Sequence, residues 1–225
     1  MTTLPEYAII VAGGKGVRMG GDQPKQFMEL GGLPIVLHTI KAFYRYSPQI
    51  RFILVLPQDH VARWETVSNE YALSIDVKVC AGGNSRTGSV RNGLAMIDTD
   101  GLVAIHDAVR PLVDTDIIAA SYKSAREKGS GVVAVALKDS LRQVEEHESN
   151  TVDREHFRLV QTPQSFPVST IKEAYNAFPD QSFSDDASVF EKAGYKVYLV
   201  NGSYRNFKIT TKEDLILAQA LLERA

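Results

Sequence analysis

Residues 7–27 read YAIIVAGGKGVRMGGDQPKQF, an apolar run that opens into five glycines with Lys15, Arg18 and Lys25 among them. Short apolar runs rich in Val and Ile suit strands buried on both faces of a parallel sheet. The loop after such a strand lies at the carboxyl edge of the sheet, where open α/β folds bind ligands. This loop fails both familiar phosphate patterns. Gly14 and Gly16 begin a G-x-G-x-x-G fingerprint, but Met19 takes the third glycine position, which governs helix–strand packing. Gly14-Lys15 is followed by Gly16, not by the Ser or Thr that a P-loop needs for magnesium. Bare backbone and clustered cations still suit a ligand rich in phosphate. The alternative is a solvated surface loop.

Working outward, further apolar runs follow at FILVL (52–56), IDVKVC (75–80), LVAIH (102–106), GVVAVAL (131–137) and YKVYLV (195–200). Helices are expected at roughly 35–46, 60–71, 86–97, 115–128, 168–177, 185–193 and 211–224. The first has Pro34 at its opening turn, where proline sacrifices no hydrogen bond. The last begins TTKEDL, a Thr N-cap with Glu213 and Asp214 in the first turn, favourable to the helix dipole. The alternation predicts a doubly wound, mostly parallel α/β sheet of Rossmann-like type. One segment, KDSLRQVEEHESNTVDREHFR at 138–158, is dense in charge and poor in apolar residues. A turn-like ESN (148–150) between LRQVEE and TVDREHF predicts a β-hairpin or extended arm, with a disordered surface loop as the alternative. The expected organisation is a single domain over 1–225 with a protruding β-arm at about 138–158.

Composition narrows the function classes. The 225 residues are 44% hydrophobic and 23% charged, as in ordinary globular proteins. A formal net charge of −2 argues against a general nucleic-acid binder, so any cationic site must be local. The one cysteine, Cys80, excludes an internal disulfide framework and suits a small buried strand residue. The opening MTTLPEY lacks the basic and apolar regions of a leader, and no run is long enough to span a bilayer. A cytoplasmic protein with no membrane partner is expected.

The loops after the strands hold glycines, hydroxyls, Lys, Arg and one prominent acid, Asp107 in HDAVRP. The five histidines show no metal-ligand spacing, and no G-x-S-x-G elbow supplies a serine nucleophile. His106 is read as structural, since no nucleophile can be named for it. Clustered cations around bare backbone suit phosphoryl or nucleotidyl transfer, which needs alignment and charge stabilisation more than covalent help. Asp107 would then bind sugar hydroxyls or orient magnesium through its waters, the alternative being a loop hydrogen bond. In AGGNSRTGSV, Gly82, Gly83 and Ser89 would let a base approach backbone N–H groups and a hydroxyl. An ordinary helix cap by Asn84 or Ser85 is the alternative.

Taken together, AGGKGVRMG, PKQF, GGNSRTGSV, HDAVRP, KDS, TVDRE, QTPQSF, SDDASVFE and NFKITTKEDL resemble the 2-C-methyl-D-erythritol 4-phosphate cytidylyltransferases along nearly the whole chain. The resemblance implies a nucleotidyltransferase domain that transfers CMP from CTP to the polyol phosphate and releases pyrophosphate, in non-mevalonate isoprenoid precursor synthesis. It implies Arg18, Lys25 and Lys208 as catalytic cations. The nucleotide would lie on Ala12, Gly13, Gly14, Gly16, Gly82, Gly83, Ser89 and Asp107. Asp107, Arg110, Ser140, Arg154, Thr162 and Ser184 would surround the polyol phosphate. Mg2+ would be held mainly by the CTP phosphates and water. The arm would build a homodimer and carry Ser140 and Arg154 toward the partner's site. Ser140 and Ser184 stand where the family commonly has Thr; Ser keeps the hydroxyl but loses the methyl that stiffens χ1. Ribitol 5-phosphate cytidylyltransferases share PKQF, HDAVRP and the TPQ motif and are the competing reading, while SDDASVFE favours the methylerythritol enzymes. A binding module without turnover is a third reading, opposed by the joint presence of Arg18, Lys25, Asp107 and Lys208.

Overall fold

The computed structural model describes residues 4–12, 24–146 and 148–223. In chain order the first elements are β1 (Glu6–Val11), the short pair β2 (Glu29–Leu30) and β3 (Leu33–Pro34), and α1 (Ile35–Tyr46). Next come β4 (Arg51–Leu56), α2 (Val61–Glu70), β5 (Val77–Ala81), α3 (Arg86–Ala95), β6 (Leu102–Asp107), α4 (Thr115–Lys128) and β7 (Gly131–Ala136). The hairpin β8 (Leu141–Glu145) and β9 (Glu148–Val152) precedes β10 (Arg158–Pro167), α5 (Val168–Asn176), α6 (Asp186–Lys192), β11 (Leu199–Asn201) and α7 (Lys212–Leu222).

Seven strands form one sheet in the order β11-β7-β10-β6-β1-β4-β5, and only β10 runs against its neighbours. The parallel central strands β1, β4 and β7 are apolar because both faces are covered. On β1, Ala8 and Ile10 pack with α1, α2 and α4, while Tyr7, Ile9 and Val11 pack with α3, α5 and α6. Each fully buried Ile or Leu in these layers contributes roughly 2 kcal/mol of transfer free energy. The final helix starts as its sequence signals: Thr211 caps it, and the Asp214 side chain returns the bond to the Thr211 N–H at 2.9 Å.

Three expectations are corrected. The stretch from 158 to 167 is a full strand, inserted antiparallel between β6 and β7. Its two prolines and polar residues hide it, because sequence pattern equates a central strand with an apolar run. The polar groups are satisfied inside: Ser165 pairs with the Ser121 hydroxyl at 2.7 Å, and Gln164 donates to Asp185 and accepts from the Ala187 N–H. Second, the turn of the arm is not ESN. Residues 148–150 belong to β9, and the chain reverses through Glu146, which has φ of 43°. Third, the last sheet strand covers Leu199–Asn201 rather than 195–200. Ser130 holds the preceding stretch instead, donating to the Lys196 carbonyl and accepting from the Tyr198 N–H.

Candidate active site

Strand direction gathers the loops at one end of the sheet. Ala12 N–H donates to the Val55 carbonyl, Gly82 N–H to that of Leu56, and Ala108 N–H to that of Val11. The loops after β1, β5 and β6 therefore start side by side.

A cleft of about 430 Å³ opens there, lined by Arg86, Asp107, Arg110, Thr162, Gln164, Ser184, Asp185 and Lys208 among others. At its base Asp107 is only 6% exposed. Its Oδ2 takes Arg110 Nε at 3.0 Å and Lys208 Nζ at 3.2 Å. Its Oδ1 faces Arg86 Nε across 3.8 Å, an ion pair too long to be a hydrogen bond. Burial by itself pushes the Asp107 carboxyl up, but Lys208, Arg110 and Arg86 outweigh it and hold the group well below the usual carboxylate range. An ionised acid thus organises three cations around a space open to ligand. Backbone contacts pin the strand ends that carry them: Arg110 Nη1 donates to the Asn206 carbonyl, Asn206 Nδ2 to that of Thr162, and Ile209 N–H to that of Val109.

Behind the acid lies a buried relay. Asp107 N–H donates to Thr162 Oγ1, which is 3.0 Å from His106 Nδ1, and His106 Nε2 is 3.2 Å from the Arg110 carbonyl. A carbonyl only accepts, so Nε2 carries the proton and Nδ1 accepts from the threonine hydroxyl. Burial lowers the His106 pKa to about 4, against the pull of its bond to the Arg110 carbonyl. The imidazole is a neutral structural spacer, as expected. Thr162 lines the cleft, and its hydroxyl is already committed to Asp107 and His106.

The loop after β5 is built differently from a simple open cradle. Ser85 caps α3, accepting from the Gly88 N–H, which is the cap alternative of the sequence reading. Ser89 is fully buried, accepts from the Gly83 N–H and donates to the Ser85 carbonyl. A Cβ on Gly82 would stand 2.7 Å from Ser89 Oγ, and one on Gly83 would stand 2.9 Å from the Gly88 carbonyl carbon. These glycines are demanded first by the loop's own packing, with Ser89 as its pin.

Lys25 sits in a tight 3-10 turn and donates to the Thr210 carbonyl at 2.6 Å, two residues beyond Lys208. Asp107, Arg110, Thr162, Ser184 and Lys208 share the cleft. Ser140 and Arg154 do not line it; both are exposed at the root of the arm, where Arg154 donates to the Lys138 carbonyl. Lys138 Nζ stacks 3.6 Å from the Tyr204 ring centre, anchoring that root to the body. Gly13, Gly14, Lys15, Gly16 and Arg18 lie outside the described residues.

Arg86, Gln164 and Asp185 line the cleft without any assignment from the sequence. Arg86 grips Asp186 with two hydrogen bonds, 3.0 and 2.6 Å, and Asp186 is fully buried with Tyr175 Oη on its Oδ1. Burial opposes the Arg86 charge, but Asp186 outweighs it and raises the guanidinium pKa well above its ordinary value. Asp185 caps α6 and holds Gln164. A signal existed: a cation in the first turn of a helix is disfavoured by the dipole, so Arg86 needed a carboxylate partner. Its partner lies 100 residues downstream, beyond the reach of local pattern.

The family model for 2-C-methyl-D-erythritol 4-phosphate cytidylyltransferase matches residues 7–224. A protein of that name from Phocaeicola vulgatus is 43% identical over 219 residues, covering 97% of this chain and all of the relative. Another, from Porphyromonas gingivalis, is 44% identical, covering 96% of this chain and 97% of its own. The crystal structure of 4-diphosphocytidyl-2C-methyl-D-erythritol synthase from Anaerococcus prevotii superposes with a TM-score of 0.85 at 28% identity, covering 98% and 97% of the two chains. The Thermus thermophilus 2-C-methyl-D-erythritol 4-phosphate cytidylyltransferase gives 0.78 at 30% identity, with 96% and 98% covered. With a family model over nearly its whole length and relatives above 40% identity, this chain belongs to the 2-C-methyl-D-erythritol 4-phosphate cytidylyltransferase family.

Proposed function

We propose that the chain transfers CMP from CTP to 2-C-methyl-D-erythritol 4-phosphate. The acceptor's phosphate oxygen attacks the α-phosphorus of CTP, a new P–O bond forms, and the bond to the β-phosphate oxygen breaks to release pyrophosphate. No covalent enzyme intermediate is needed, so the protein's work is alignment and charge stabilisation. The observation that carries this reading is the cleft in which Lys208, Arg110 and Arg86 surround ionised Asp107 beside the loop after β5.

In this reading Asp107 holds sugar hydroxyls, and Arg110 receives the acceptor's phosphate. Lys25 and Arg18 stabilise the crowded phosphorus centre, with Lys208 assisting at the α-phosphate. The Ala12 to Gly16 backbone and the Gly82–Gly83 turn hold the nucleotide, with Ser89 fixing that turn from behind. Thr162 orients Asp107 through its backbone, and Ser184 closes the rim. Among the described residues no group of three or more His, Cys, Asp or Glu could hold a metal. With Asp107 already paired to cations, magnesium would be held mainly by the CTP phosphates and its own waters, where it would neutralise triphosphate charge.

The exposed arm, with Val144 and Phe157 facing solvent, supports a homodimer in which Ser140 and Arg154 serve the partner's cleft. Sedimentation as a monomer at micromolar concentration would remove that part of the reading. No helix among the described residues is long and apolar enough to cross a membrane, and we place the enzyme in the cytoplasm. The test of function is pyrophosphate release from CTP and magnesium with two acceptors. Methylerythritol phosphate should react much faster than ribitol 5-phosphate; a reversed order of rates overturns the substrate assignment.

A further inference from the structure

Lys208 and Arg110 have charge to offer a phosphate, whereas Arg86 has spent its own. Both Nη atoms are bound to Asp186, a carboxylate with no exposure to solvent, whose Oδ1 also accepts from Tyr175 Oη at 2.6 Å. A guanidinium held at two points by a buried acid cannot swing toward an incoming ligand without leaving that acid uncompensated, which is strongly unfavourable. Its Nε lies 3.8 Å from Asp107 Oδ1, an ion pair beyond hydrogen-bond length. The two oxygens of Asp107 are thereby distinguished. Oδ2 is occupied by Arg110 and Lys208, while Oδ1 feels a fixed positive charge 3.8 Å away without being bonded to it. An oxygen restrained by charge, with its lone pairs still available, is suited to accept a hydrogen bond from a hydroxyl.

We propose that Arg86, anchored by Asp186, is a positioning residue for the transfer: it sets the direction in which Asp107 presents Oδ1 to the hydroxyls of the polyol phosphate. This rests on the function proposed above. The alternative role is bracing of the nucleotide loop, since Arg86 directly follows the cap of α3. The two roles load different substrates, so kinetics separate them. A brace of the loop acts on the KM for CTP or on thermal stability alone. A positioning residue acts on kcat and on the KM for the polyol phosphate.

The experiment measures kcat, both KM values and the melting temperature for wild type, Arg86→Met, Arg86→Lys and Asp186→Asn, by pyrophosphate release. Arg86→Met should lower kcat about tenfold and raise the polyol phosphate KM about tenfold, with the CTP KM changed by less than about threefold, the scale of a small misplacement near the reacting groups. Arg86→Lys keeps the charge without the two-point grip and should recover part of both losses. Asp186→Asn should shift the same two constants in the same direction by a smaller factor. A lowered melting temperature with unchanged kcat and polyol phosphate KM overturns the proposal, as does an effect confined to the CTP KM. If Arg86→Met does not fold, Arg86→Lys decides: a several-fold higher polyol phosphate KM supports the role, and wild-type constants overturn it. Failure of the wild type to release pyrophosphate from these substrates refutes the function itself, an outcome distinct from normal wild-type turnover with unaffected variants.

Discussion

The sheet has a cavity at each end, and the two are nearly equal in size: about 430 Å³ around Asp107 at the carboxyl ends and about 440 Å³ around Tyr7, Arg51 and Asp98 at the amino ends. Volume does not tell them apart; charge does. At the amino ends Arg51, Asp76, Lys78 and Asp98 sum to zero and stand exposed, where ion pairs contribute little. Arg51 spends a donor on the Tyr7 hydroxyl at 3.1 Å and lies over its ring. At the carboxyl ends Arg110 and Lys208 pair with one acid that is only 6% exposed, with Asp186-bound Arg86 3.8 Å from its other oxygen, and burial of that acid strengthens the charge interactions. Such an arrangement is costly to fold without a use, and it stands where the loops of three strands meet.

The largest test of that difference removes a cation from the carboxyl end. Lys25→Ala should lower kcat by about 100-fold or more while the protein stays folded, the scale of losing one charge-stabilising donor. Steady-state pyrophosphate release together with a thermal melt measures it, and an unchanged kcat takes Lys25 off the catalytic list.

A second test asks whether the layer behind Asp107 is as dry as the burial of His106 implies. His106 has its folded pKa lowered to about 4. The unfolded chain therefore binds the proton first, and stability falls as pH drops from about 6.5 to about 4, by up to about 3 kcal/mol. Below that window both states are protonated and this contribution stops changing. Asp107, whose folded pKa is depressed, contributes at lower pH: its stabilisation is complete above its unfolded value near 4 and is lost only in stronger acid. Urea unfolding at a series of pH values should show a flatter profile between pH 6.5 and 4 for His106→Asn than for wild type. Equal slopes would mean that the imidazole is not held neutral. The smallest effect belongs to the amino end, where Arg51→Ala should leave kcat and both KM values within about twofold, as expected for an exposed residue away from special features. A larger kinetic change would show that the two cavities communicate.

Much of the carboxyl end is legible in the order of residues. Strand runs set by Val and Ile establish the alternation, and grouping the loops that follow them brings Asp107, Arg110 and Lys208 together, as they stand in the cleft, whereas Thr162 and Ser184 are pointed to only by the family resemblance. The family resemblance supplies their roles. Two kinds of feature escape. The strand at 158–167 is hidden because its polar groups are satisfied by Ser121, Asp185 and Ala187, partners that only the folded chain supplies. Arg86 and Asp186 each lie inside a family motif, but nothing local joins residues 100 positions apart.

The sequence by itself determined the sheet's periodicity, the helix caps such as Thr211, the loops that carry the chemistry and, through its motifs, the family. Those are decided by neighbours within a turn or a strand pleat, which the order of residues contains. Tertiary structure alone decided that β10 runs antiparallel through the sheet, that Ser89 pins Gly83, and that Arg86 is spent on Asp186. Burial converts these groups from independent polar side chains into obligatory partners, because an unpaired charge or hydroxyl without water is penalised far more heavily than one in solvent. Which partner each one finds is a matter of three-dimensional proximity, and that is set only when the layers close.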